Sequence, residues 1–544
     1  MPGNRVNQSS SRLLRTTDDD RQLSRDLTDL FSTLIVSLLP LSSRRVRFAK
    51  VENTFLFEDA IHNLGNLKLR QSNSMPDPED SSRTVVSTST TIFAMSRHMA
   101  ISQCQRFVDA HLIESADGKH EPEFLLKGVW KLTSKGISVM NEFCSKNGIE
   151  QEQLGELLSF ITNPLVTLER DPVTDKLLLD QGTIEIIFRR LIGAGGPGKK
   201  SPMGSTESSR DFKGVTGIER KLNGRLYVDT YSGDVIADWL LDHATAMDIR
   251  EAVDAASLFV HFDLIQPIVQ DRAYLSQDAR YNLFQPTPNA VYALSQRGQD
   301  LVENSSSGRC SSDGKSEGSS QHSKHSNVTD SNSQRLEKIL ADPTLRMLFR
   351  ENLQETHCEE NLAFHQEANT FIRQCKSNSR KLKQADSSSI DSAKELLAQS
   401  YIIFNTFLAP GSPRELNLNH QLRKTLADRM TNAQARDATI ADTLHEVTSL
   451  FESAQTSVFK LMATDSVPKF LHSPKAEYQL AQAGRVNAIK LIKLRRGASS
   501  GVVSHTGARV TLRVDQQVPL VVHTRLVGNL LRHAARLKYN HATD

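Results

Sequence analysis

Two stretches of this 544-residue chain are too poor in apolar side chains to fold, and they divide the rest. GAGGPGKKSPMGSTESSRD (193–211) and NSSSGRCSSDGKSEGSSQHSKHSNVTDSNSQ (304–334) are rich in Gly and Ser. Neither buries enough surface to offset the entropy of ordering it. The expected division is a disordered N-terminus (1–24), a mixed α/β domain (25–192), a linker (193–213) and a second α/β domain (214–302). A Ser-rich linker (303–334), an all-α domain (335–480) and a basic tail (481–544) complete it.

Charge excludes several classes. Lys and Arg number 66 against 63 acids, a net +3, so the chain is neither histone-like nor polyacidic. Five widely spaced cysteines (Cys104, Cys144, Cys310, Cys358, Cys375) form no C-x-x-C pair. This is not a disulfide framework or a zinc module, and it suits a reducing compartment. The N-terminus lacks the apolar stretch of a signal peptide. The best apolar run, LFSTLIVSLLPL (30–41), is too short to span a bilayer, which takes about 20 residues. A soluble intracellular protein is expected, with the N-x-S/T triplets at Asn7, Asn304 and Asn327 chance matches.

Two decoys carry no chemistry. Gly193 to Lys199 spells G-x-x-x-x-G-K, but Lys200 stands where magnesium needs Ser or Thr, and Pro202 and Gly204 break the helix that would cradle phosphate. His322 and His325 have no partners at metal-ligand spacing. No cofactor and no metal is expected. The tail from 485 has eleven Lys or Arg and two acids, Asp515 and Asp544. It reads either as a solvated, poorly ordered end or as a match for an anionic surface.

Segment 335–480 is the most regular. Leu336, Ile339 and Leu340 start a helical period, and Asp342-Pro343 restarts it as an N-cap followed by proline at the first helical position. Thr356 to Glu359 spells a capping box. Phe364, Ala368, Phe371, Ile372 and Cys375 line the next face. Leu396, Leu397, Tyr401, Phe404 and Leu408 line another, stopped by PGSP (410–413). Asn419 reads as an N-cap, and Asp465-Ser466 begins a last short helix. The sum is a bundle of eight or nine helices.

DPTLRMLFRENLQETHCEENLAFHQEANTFI, then ELNL (415–418), then FESAQTSVFKLMATDSVPKFLHS (451–473), together resemble the RGS domain, the regulator of G-protein signalling box. The resemblance covers about 140 residues, with three motifs in order. It implies GTPase activation on a GTP-bound heterotrimeric Gα subunit of the Gαi kind. It implies no enzymatic site of the chain's own, because such a subunit already carries its arginine finger. By position, Asn417 would project between the partner's switch loops. Glu360 and Asn361 would contact it before the long helix, and Leu461, Asp465, Ser466 and Lys469 would form the second rim. Thr356 and Lys469 depart from the common Glu and Arg, and are expected to tune which α subunit is preferred.

Segment 214–302 resembles a DEP domain, a small winged-helix α/β fold. SGDVIADWLLDHA (232–244) sets Val235, Ile236, Trp239 and Leu240 on one face. Asp248 to Glu251 spells a capping box, and a hairpin-like pair ends at YNLFQ (281–285). DNA reading is excluded by charge: between 246 and 264, Arg250 faces Asp248, Glu251, Asp254 and Asp263. Segment 25–192 resembles a more divergent copy. It is read as helix then loop over 55–73, a helix in 90–114 carrying Met99, Cys104, Phe107 and Val108, and a strand then helix over 125–149. The order DEP, DEP, RGS resembles the fungal developmental regulators of the FlbA type.

That resemblance implies that the DEP copies bring the RGS box to a receptor's cytoplasmic tail or an anionic membrane surface. No nucleic-acid partner is expected. The chain would be cytoplasmic and peripheral at the plasma membrane, and would shorten the lifetime of active Gα. The alternative is an adaptor whose RGS box binds Gα without accelerating hydrolysis.

Overall fold

Leu27, Leu30, Phe31, Leu34 and Ile35 recur at helical spacing, and all five are buried on one face of helix α1 (Ser24–Leu38). The computed structural model describes residues 16–17, 21–76, 84–118, 123–124, 128–149, 152–161, 165–172, 174–193, 214–222, 224–277, 283–303, 325–382, 387–432 and 440–482. All belong to the first of two compact units, Met1–Leu491. The phosphate-loop decoy beyond Gly193, His322 and the basic tail 485–544 lie outside the described residues.

After α1 come a hairpin, β1 (Ser42–Val46) and β2 (Ala49–Leu56), and helix α2 (Phe57–Gly65). A two-stranded ribbon follows, β3 (Leu67–Pro76) with β4 (Thr84–Phe93). The loop expected over 66–73 is therefore strand: Leu67 to Pro76 pairs residue by residue with β4. Helix α3 (Arg97–Asp109), strands β5 (Ile113–Ser115) and β6 (Val129–Leu132), and helices α4 (Ser134–Asn147) and α5 (Glu152–Leu158) complete the first part. Cys104, Phe107 and Val108 are buried on α3 as expected, but Met99 faces solvent. The four-stranded sheet runs β1-β2-β6-β5, all antiparallel.

The next part repeats this plan. It contains α6 (Gln181–Ile192), β7 (Ile218–Leu222), β8 (Arg225–Ser232), α7 (Gly233–His243), α8 (Ile249–His261), β9 (Ile265–Val269), α9 (Arg272–Gln277), β10 (Val291–Leu294) and α10 (Gln296–Glu303). Its sheet runs β7-β8-β10-β9, the same order. The copies agree in detail. Phe31 meets Phe107 edge-on at 5.3 Å, and Phe188 meets Phe259 at 5.5 Å. Phe124 packs on Trp130, and Phe284 on Tyr292, at 4.8 and 4.9 Å. Gly136 and Gly298 open α4 and α10 in the same way. A Cβ there would lie about 2 Å from the carbonyl oxygen of Leu112 or Leu264, so only glycine lets the helix approach its neighbouring strand.

Four expectations change here. The expected boundary at 192 follows the linker's composition, but α6 packs into the second sheet's core through Phe188. Val235 points outward, while Ile236, Trp239 and Leu240 are buried. The 248–251 capping box is half formed. Asp248 accepts from Arg250 N at 2.8 Å, but Glu251 reaches back to Met247 N and takes Arg170 at its two oxygens instead. The expected hairpin ending at 285 is a pairing of β9 with β10, and Phe284 lies outside both strands.

Residues 325–482 are helical wherever regular structure is described. The helices are α11 (His325–Ala341), α12 (Pro343–Glu355), α13 (Glu359–Leu382), α14 (Ser387–Ile403), α15 (His420–Asn432), α16 (Ile440–Leu461), α17 (Val467–His472) and α18 (Pro474–Gln482). Single π-turns follow α14 (Phe404–Leu408) and α16 (Met462–Ser466). Asp342 caps α12 by accepting from Leu345 N, with Pro343 at the first helical position, as expected. α11 begins at His325, ten residues inside the segment read as linker.

The parts are locked together. Thr344 on α12 donates to Asp180, the N-cap of α6, and Arg190 pairs with Glu351 at 2.8 Å. Glu169 accepts from Arg346, Arg350 and Gln366. One apolar core runs continuously from Val166 to Leu480. Among the described residues, no helix is long and apolar enough to cross a membrane.

Candidate functional site

The sequence-predicted residues converge on the junction between α12 and α13. Thr356 does not form the expected capping box: its hydroxyl turns back to the carbonyl of Asn352 at 3.0 Å and closes α12. His357 then takes a positive φ of 53°, and α13 starts at Glu359. Two acids in this first turn suit the positive end of the helix dipole. Burial pushes the Glu360 carboxyl above the usual carboxylate range, and neighbouring Glu359 adds to the effect. Asn361 is buried; its amide donates to Glu360 at 2.8 Å and to the Cys358 carbonyl at 3.2 Å.

The second component is the loop after the π-turn at 404–408. Arg414 N donates to the Thr406 carbonyl and Leu416 N to that of Phe407, each at 3.0 Å. Leu416 and Leu418 are buried, so Asn417 between them is turned out to solvent. The alternation is that of an extended segment, two anchors flanking one projecting side chain. Glu415 braces it, accepting from Gly411 N and pairing with Arg423. Asn419 caps α15 through Gln421 N at 2.8 Å, as expected.

The third component is the end of α16. Asp465 and Ser466 do not start a new helix: they lie in a π-turn that leads without a break into α17. Such a turn inserts one residue and rotates the helix beyond it. Leu461 is half-buried, Ser466 is buried, and Asp465 and Lys469 are exposed and paired at 2.8 Å. That hydrogen bond raises the Lys469 pKa, and Cys358 lies within electrostatic reach of the same ammonium. Arg414, absent from the predicted set, approaches Glu359 at 4.0 Å. So the start of α13 has the Asn417 loop beside it through Arg414, and Lys469 of α17 within electrostatic reach of Cys358 just before it. Arg414's position just before Glu-Leu-Asn-Leu is the signal that sequence reading passed over.

Among the described residues, no group of three His, Cys, Asp or Glu could hold a metal ion. Residues 335–477 match the regulator of G protein signaling domain, and residues 26–160 match the fungal-differentiation regulator winged helix domain. The chain therefore carries an RGS domain over residues 335–477. Its relatives include the developmental regulator flbA of Emericella nidulans, 46% identical over 87% of this chain and 66% of that protein. Regulator of G-protein signaling 1 of Schizosaccharomyces pombe is 26% identical over 85% of this chain and 92% of its own length. Regulator of G-protein signaling 16 of Rattus norvegicus is 32% identical over 22% of this chain. The chain thus spans just under two thirds of flbA and nearly all of the fission-yeast regulator.

Proposed function

We propose that this chain accelerates GTP hydrolysis by a heterotrimeric Gα subunit of the Gαi kind and so shortens its signal. The observation that carries the reading is Asn417, exposed between buried Leu416 and Leu418 and flanked by the first turn of α13. A Gα subunit holds its own arginine finger and attacking water. The partner adds a rigid surface that favours the transition-state arrangement of the switch loops over their ground state. Asn417 would hold the switch glutamine and its water. Glu360 and Asn361 would meet one switch loop, and Leu461, Asp465, Ser466 and Lys469 the other. In this reading the acid–base chemistry and the nucleotide site stay with the Gα subunit.

Both α/β copies are read as DEP domains, which recruit the RGS box to a receptor tail or an anionic membrane surface on the cytoplasmic face. In support, the β1–β2 hairpin carries Phe48, 96% exposed, among Arg45, Arg47 and Lys50. The matching β7–β8 hairpin exposes Leu226 beside Lys221 and Arg225. An apolar tip beside Arg45, with Arg47 and Lys50 shared with Asp117 and Glu52, suits an anionic lipid headgroup layer.

Single-turnover hydrolysis of GTP on a purified Gαi-type subunit, with and without the full chain, tests the activity. Acceleration supports it. Binding to the aluminium-fluoride-activated subunit without acceleration would replace it with the adaptor reading.

A further inference from the structure

The last turn of α4 reaches out of the first α/β copy and touches the RGS surface in two places. Lys146 Nζ pairs with Glu367 on α13 at 2.8 Å, both side chains about one quarter exposed. Gly148 ends α4 in the left-handed region (φ 62°) and lies against Pro413. A Cβ at Gly148 would stand 2.8 Å from Pro413 Cγ, so both the backbone angle and the contact require glycine. The two elements touched are those that carry the candidate contacts. Glu367 lies two helical turns along α13 from Glu360, and Pro413 lies four residues before Asn417. Pro413 has a fixed φ, so pressure on its ring passes to the backbone of Arg414, whose N–H and side chain tie the loop to Thr406 and Glu359.

We propose that Lys146 and Gly148 are positioning residues for Gα recognition: α4 is a strut that fixes the Asn417 loop against the start of α13 without touching the partner itself. This rests on the Gα reading above. It means that the N-terminal region sets the strength of the RGS surface directly, in addition to any role in recruitment. The RGS sequence alone would then understate the affinity of the full chain, because its loop and helix keep their internal bonds but lose the outside brace.

The test uses the full-length chain and an aluminium-fluoride-activated Gαi-type subunit. Lys146→Glu and Glu367→Lys reverse the pair singly, and the double variant restores it with the signs exchanged. Pro413→Ala removes the ring atom that faces Gly148. Each single reversal is expected to weaken Gα binding by about threefold while the maximal hydrolysis rate at saturation holds, and the double variant is expected to recover most of the loss. Pro413→Ala is expected to weaken binding in the same direction. Thermal unfolding of each variant separates this from misfolding, since a merely structural pair would shift the midpoint and leave affinity alone. Wild-type affinity in the single reversals and in Pro413→Ala, or a double variant no better than its parents, would overturn the proposal. A wild-type chain that neither binds nor accelerates would instead overturn the Gα reading, and the strut with it.

Discussion

Lys135 and Arg297 stand at the same position of the two α/β copies, and each donates to the carbonyl of the residue that caps its copy's third helix. Lys135 Nζ reaches the Ala110 carbonyl at 2.7 Å, and Arg297 reaches that of Phe262 at 2.6 Å. Their other partners differ. Arg297 pairs with Glu185 within its own copy, whereas Lys135 is buried under the second copy and donates to the carbonyls of Leu241 and Ala246. In its ammonium form three hydrogens meet three carbonyls from two copies, which makes this lysine the pin between them; the neutral amine keeps two of the three.

Burial pushes the Lys135 pKa down from 10.5 to about 7. The unfolded chain therefore holds this proton between pH 7 and 10.5 when the folded chain does not. Stability should rise with pH across that window, by at most about 1.4 kcal/mol per pH unit. Lys135→Met should lose that slope. Thermal midpoints of both chains at about pH 7, 8 and 9 check this; parallel curves would show that Lys135 does not titrate there.

Asp180 holds two elements at once, capping α6 through Thr183 N at 3.0 Å and accepting the Thr344 hydroxyl at 2.8 and 2.9 Å. Asp180→Ala should cost about 2 kcal/mol, the upper range for a lost N-cap, because α12 loses its partner too. Amide hydrogen exchange should speed up in both α6 and α12. Faster exchange in α6 alone would mean that the two helices are not coupled through this contact.

At the β1–β2 hairpin, Phe48→Ser should weaken binding of the full chain to phosphatidylserine vesicles several-fold. Arg45→Glu with Arg47→Glu should weaken it further and flatten its salt dependence, since each basic residue near such a surface contributes about 1 kcal/mol. Co-sedimentation with vesicles measures both. Unchanged binding would refute a membrane contact at this hairpin.

Much of the helical domain could be read from its residues. The Asp342-Pro343 start, the Asn419 cap and the apolar faces of α13 and α16 are local signals, and the structure keeps them. The two π-turns were hidden because 404–408 and 462–466 keep a helical apolar pattern through an extra residue per turn. Strand β3 does not show in the sequence because its stability comes from pairing with β4, and NLKLRQSN lacks the β-branched alternation that marks a strand alone. Thr356 and Glu251 had the spacing of capping boxes, but nearer partners won: the Asn352 carbonyl for one, Met247 N and Arg170 for the other. Likewise α6 precedes a linker in sequence yet belongs to the core beyond it, because its partner Phe259 is distant in the chain. At the candidate site, Asn417 and the 465–469 rim could be picked out in the sequence. Their meeting at the start of α13 could not, since it depends on Arg414 reaching Glu359.

The most direct measurement is single-turnover GTP hydrolysis on a Gαi-type subunit with the wild-type chain and with Asn417→Ala. Asn417 is exposed and its anchors are its neighbours, so the substitution should leave the fold intact. Clear acceleration by the wild type and a loss of about 100-fold in the variant are expected, the scale of removing one positioned transition-state contact. Equal acceleration by both chains would contradict the placement of Asn417 at the switch loops.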